Sequence, residues 1–133
     1  MKEVVFIDDD MMTMRHWVKY LELDHFVVKS FEEDIEALSY IDINHDKIGL
    51  IILDMIMPSE QFKMEETKRY FDTGWHLLDK IRTIMPDVPV IIFSIRHNLK
   101  ASDTQHRVER ILIKDQTTPE NLSEIVGEIL NGQ

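Results

Sequence analysis

The chain has 133 residues, 44% of them hydrophobic and 30% charged, and its 25 acidic against 15 basic side chains give a net charge of −10. That length suits one domain burying about two-thirds of the surface its unfolded form exposes, and the acidity argues against nucleic acid as a direct partner, because phosphate backbones need a basic face. There is no cysteine, which excludes disulfides and thiolate chemistry, and no apolar run nears the ~20 residues of a membrane span or forms a leader, so a cytoplasmic location without membrane insertion is expected.

In chain order, Val4 to Ile7 is a continuous apolar run that ends in Asp8-Asp9-Asp10. Met11, Met14, Val18 and Leu21 recur at helical spacing behind it. Phe26 to Val28 reads as a short strand. Ser30 with Glu33 reads as a capping box opening a helix whose buried stripe is Ile35, Leu38 and Ile41. Gly49 to Leu53 is the most apolar stretch, and it ends on Asp54, with Pro58 four positions later. Such a run, bounded by turn signals, predicts a strand buried on both faces. Glu60 to Asp72 is charge-rich, with Glu65 and Arg69 at i,i+4 and Met64 and Phe71 seven apart, which predicts a short helical excursion.

Gly74 precedes an amphipathic helix through Leu77, Leu78, Ile81 and Ile84, stopped by Pro86. Val88 to Phe93 is a fourth strand and runs into Ser94. His97 to Glu109 is weakly helical, with only Leu99, Ala101 and Val108 to bury. Ile111 to Ile113 is a fifth strand ending on Lys114. Thr118-Pro119-Glu120 opens a last helix, with Leu122, Ile125, Val126, Ile129 and Leu130 on its apolar face and Gly132 at its end. Strands alternating with helices predict an α/β fold, a single doubly wound five-stranded parallel sheet with helices on both faces, over residues 1–133 with an insertion at about 59–73.

In such a sheet the carboxyl ends of the strands share one rim, where ligands bind. Asp8, Asp9, Asp54, Ser94 and Lys114 all fall there. Crowded carboxylates repel and favour a bound cation. An all-oxygen site suits Mg²⁺, and a lysine and a hydroxyl add donors for phosphate oxygens. Together these are the parts of a phosphoryl-transfer site.

Val4 to Asp10, Leu53 to Pro58 and Ile113-Lys114 together resemble the receiver domain of two-component response regulators, and the resemblance spans nearly the whole chain. It implies a flavodoxin-like strand order, 2-1-3-4-5. It implies that Asp54 accepts phosphate from a histidine kinase or a histidine phosphotransfer protein and that a further protein receives the signal. It also implies that Asp8 and Asp9 hold Mg²⁺, Asp9 and Asp54 directly, with the Ile56 backbone carbonyl as a further ligand. Lys114 would pair with the phosphate and the Ser94 hydroxyl would move to bond it. On this reading the chain is no enzyme beyond self-phosphorylation from small donors and autodephosphorylation.

Four positions depart from the pattern. Gly74 lies twenty residues after Asp54 instead of eight or nine. Asp115 follows Lys114 where a cis-bonded proline is usual, so a trans bond and a shifted lysine are expected. Ile111 holds a position that is usually aromatic, and Ile95 one that is usually small. Two other readings compete: a pseudo-receiver that keeps the fold as an interaction module without phosphorylation, and a haloacid-dehalogenase-like phosphatase with Asp8 as nucleophile. The six histidines show no metal spacing and read as solvated. From Ser94 to Lys114 five Lys/Arg stand against two acids, a solvated face or a docking surface.

Overall fold

Apolar runs that do not alternate with polar residues have to be covered on both sides, and the chain covers them by packing helices on each face of one sheet. The computed structural model describes residues 2–55, 73–97, 99–100, 102 and 104–133. Its strands are β1 (Glu3–Ile7), β2 (Val27–Phe31), β3 (Ile48–Leu53), β4 (Val90–Ser94) and β5 (Arg110–Ile113). Its helices are α1 (Met11–Leu23), α2 (Asp34–Asn44), α3 (Thr73–Ile84) and α4 (Pro119–Asn131). All neighbouring strands are parallel, in the order β2-β1-β3-β4-β5. The expected doubly wound sheet is therefore present. Among the described residues no helix is long and apolar enough to cross a membrane.

Strand side chains alternate between faces with a period of two. Val5, Ile7, Ile51, Leu53, Val90 and Ile92 point to one side, where Ala37 and Ile41 of α2 and Leu77, Leu78 and Ile81 of α3 cover them. Val4, Phe6, Leu50, Ile52, Ile91 and Phe93 point to the other, under Met14, Trp17 and Leu21 of α1 and Leu122 and Val126 of α4. There Phe93 takes Trp17 edge-on at 4.8 Å and Phe6 at 6.1 Å between ring centroids, contacts worth about 0.5–1.5 kcal/mol each beyond area burial.

The start of α2 differs from expectation. Ser30 does not cap a helix, because β1 claims it: Phe6 pairs with Ser30 and Ile7 with Phe31 in the ladder. The helix begins at Asp34 behind Glu33, which makes no side-chain capping bond. Its phase moves accordingly. Asp34, Ala37 and Ile41 are its buried residues, while Ile35 is 46% exposed and Leu38 only partly covered. Phe26 likewise lies outside β2; its N–H donates to the Leu21 carbonyl and closes the end of α1.

The weakly helical stretch after Ser94 holds no α-helix among its described residues. Leu99 and Val108 pack against the core, and polar contacts tie the rest. Arg82 of α3, itself only 7% exposed, donates to the carbonyls of Met85 at 3.2 Å, Val88 at 2.6 Å and Arg107 at 2.6 Å. His106 reaches Asp79 of α3 at 2.7 Å. The expected helical excursion at Glu60 to Asp72 lies outside the described residues, and so does nearly all of the proposed insertion.

Candidate functional site

Two backbone hydrogen bonds run past the ends of the strands and hold the acidic residues side by side. Asp8 N–H donates to the Phe31 carbonyl at 3.0 Å, and Asp54 N–H to the Ile7 carbonyl at 2.9 Å. Asp8 and Asp54 are consequently almost wholly buried, at 1% and 4% exposure. With Asp9 they form a cluster in which one carboxylate oxygen from each lies within 4.8 Å of the others.

The two oxygens of Asp8 are both engaged: Oδ1 accepts the Asp10 N–H at 2.9 Å and Oδ2 the Lys114 ammonium at 2.5 Å. Lys114 enters from the end of β5, over the Phe93 ring, and its Nζ also stands 3.9 Å from Asp54 Oδ2. Asp9, half-buried between these charges, has its carboxyl pushed above the ordinary range, first by desolvation and then by Asp8. Asp10 behaves in the opposite way. It caps α1, accepting the Thr13 N–H at 3.2 Å and the Thr13 hydroxyl at 2.8 Å, and these bonds hold its carboxyl below the ordinary range. That commits the third acid of the run to the helix rather than to the cluster.

Ser94, the last residue of β4, is fully buried, and its hydroxyl accepts the Arg96 N–H at 3.3 Å. Five predicted side chains thus reach one rim, and the sixth candidate, the Ile56 carbonyl, lies outside the described residues. The peptide bond from Lys114 to Asp115 is trans, as expected, and Lys114 still reaches Asp8. Ile95 is 62% exposed on the rim and Met12, in the first turn of α1, 81%.

Gly74 explains how the site tolerates a long excursion after β3. Its N–H donates to the Met55 carbonyl at 3.2 Å, and a Cβ there would fall 2.6 Å from the Met55 Cα. The chain therefore returns, after residues 56–72, to the residue beside Asp54, and only glycine permits that approach. Two groups escaped the sequence reading. Arg82 had a signal, because it sits four positions after Leu78 inside the buried stripe of its helix. His97, whose Nε2 donates to Asp115 Oδ2 at 3.1 Å, had none.

The family model for the response regulator receiver domain matches residues 4–126. The chain belongs to this family. As a receiver it shares its fold with many solved structures. One is a two-component response regulator from Clostridium difficile, 24% identical over 98% of this chain and 97% of that one, at a TM-score of 0.77. Another is a response regulator receiver domain protein from Clostridium thermocellum, 23% identical over 98% and 95%, at 0.78. A CheY-like receiver domain protein from Methanospirillum hungatei JF-1 is 19% identical over 99% and 95%, at 0.77. No curated protein matches this receiver.

Proposed function

We propose that residues 1–133 form one receiver domain, with an insertion at about 59–73, that takes a phosphoryl group onto Asp54 and signals by a change of conformation. The donor is a histidine kinase or a histidine phosphotransfer protein in the cytoplasm, and the output passes to a partner protein. The observation that carries this reading is the place of Asp54, buried in a carboxylate cluster with the Lys114 ammonium 3.9 Å from its Oδ2.

The donor set is all oxygen, and three carboxylates against one ammonium leave it net negative, a site that fits a hard cation. Asp8, Asp9, Asp54 and the Ile56 carbonyl are the groups that would hold Mg²⁺. When bound, the ion supplies charge neutralisation to the carboxylates and to the phosphoryl oxygens. An Asp54 oxygen forms the new O–P bond while the P–N bond of the phosphohistidine breaks, and its electron pair returns to the imidazole. Lys114 turns from Asp8 to a phosphoryl oxygen, and Ser94 exchanges its backbone contact for a bond to another.

Incubation with phosphoramidate and Mg²⁺, borohydride trapping of the acyl phosphate and peptide mapping test this directly. Label on Asp54 is expected. Label on Asp8 would indicate a phosphatase-like site, and no label from any donor would indicate a receiver kept only for binding.

A further inference from the structure

We propose that the hydrogen bond between His97 and Asp115 is a positioning device for Lys114 in phosphoryl transfer, an inference that rests on the phosphoacceptor reading above. The last register pair of β4 and β5 is Ser94 with Ile113. Beyond it the ladder ends, and Lys114 opens a 3₁₀ turn that runs to Gln116. Local bonds close that turn: the Thr117 hydroxyl donates to the Ile113 carbonyl at 2.9 Å, and the Thr117 N–H to the Lys114 carbonyl at 3.4 Å. On the β4 side the chain bends at once, with the Arg96 N–H on the Ser94 hydroxyl.

Among the described residues, the His97 and Asp115 side chains link the two exits, at 3.1 Å. They place a tie one residue past Lys114, as the ladder pair places one a residue before it. A neutral imidazole with its proton on Nε2 can donate this bond.

Lys114 has a placement problem that such a tie addresses. Its ammonium rests 2.5 Å from Asp8 Oδ2 and must reach an oxygen of a group newly attached to Asp54, whose Oδ2 is 3.9 Å away. A lysine is a point charge on a flexible stem, and errors of about 1 Å in a reacting constellation slow it measurably. Asp8, Asp9 and Asp54 follow β1 and β3, which the pair does not join; its link to them runs through the Lys114 ammonium on Asp8, so Mg²⁺ affinity is expected to change less than the rate does. Both partners are more than half exposed, at 54% and 64%, so the effect is modest.

The test uses the full chain, phosphoramidate as donor, and intact mass to follow the initial rate, with Mg²⁺ affinity measured in parallel by calorimetry. His97→Ala and Asp115→Ala are each expected to slow phosphorylation about threefold to fivefold, the ceiling for an exposed pair. The double variant is expected to be no slower than either single. His97→Asp combined with Asp115→His is expected to recover the wild-type rate to within about twofold, which would assign the effect to the bond between the two side chains and not to either alone. Mg²⁺ affinity is expected to change less than the rate in every variant. Single variants at the wild-type rate, multiplied effects in the double variant, or Mg²⁺ affinity falling in step with the rate would each overturn the proposal while leaving Asp54 as acceptor. A wild type that gains no phosphoryl mass overturns the acceptor reading and the proposal with it.

Discussion

Burial and the neighbouring Asp8 both push the Asp9 carboxyl upward, so at neutral pH the ionised group opposes folding. The sign follows from linkage: a raised folded pKa gives a contribution that is fully present below the unfolded value and lost as pH rises through the folded one. Asp9→Asn is therefore expected to raise the melting temperature of the metal-free protein at pH 7 and to have little effect at pH 3. Mg²⁺ should stabilise the wild type, by about 2.7 kcal/mol at a hundred times its Kd, and leave Asp9→Asn unmoved. Equal wild-type melting temperatures in EDTA and in millimolar Mg²⁺ would refute the metal site. Arg82 is the other residue whose loss should be felt. Arg82→Met leaves three buried or half-buried carbonyls without their donor, a cost of about 2–3 kcal/mol, read as a lower urea midpoint at constant slope. Arg82→Lys is not expected to recover it, because one ammonium cannot span the three carbonyls that the guanidinium fork serves.

At the scale of elements, the end of α1 carries a removable cost. The His25 N–H donates to the Glu22 carbonyl and the Phe26 N–H to the Leu21 carbonyl, the two bonds of a Schellman closure. That closure requires a left-handed residue, and His25 supplies it at φ 73°. A side chain with a Cβ is disfavoured there by about 1–2 kcal/mol, which the greater unfolded-state freedom of glycine partly offsets. His25→Gly is expected to stabilise the protein by about 0.5–1 kcal/mol, measured as a higher melting temperature. An unchanged or lower value would mean that the imidazole makes a compensating contact. The opposite holds at Gly74, where a Cβ would meet the Met55 backbone. Gly74→Ala should destabilise the protein and displace the residue after Asp54.

For the molecule as a whole, the question is how phosphate at the rim reaches a partner surface. Ile111 of β5 has neither ring nor hydroxyl, so a ring turning inward with a hydrogen bond is not available to this chain. Phosphorylation would add nearly two negative charges beside Ser94 and Lys114. Among the described residues after Ser94, Leu99 and Val108 pack on the core and Arg82, His106 and His97 make polar ties, so this segment is expected at the low-stability end of the fold. Hydrogen exchange with and without beryllofluoride and Mg²⁺ is expected to change protection over residues 97–109, with residues 60–72 as the second candidate. A change confined to the core strands would show that the signal leaves elsewhere.

The central strands β1, β3 and β4, their burial on both faces and the polar residues that follow them and β5 were legible in the sequence, because a continuous apolar run and its abrupt end are local facts that map directly onto burial. Asp54, Asp8, Asp9, Ser94 and Lys114 could be named for that reason. The start of α2 could not, since Ser30 suits a cap and a strand equally and only pairing with Phe6 decides between them. The same holds for contacts between distant segments. Arg82 meets a carbonyl 25 residues away, Gly74 meets Met55 across the excursion, and His97 meets Asp115. Each depends on strand register and on how two exits diverge, and no periodicity within one segment encodes that distance.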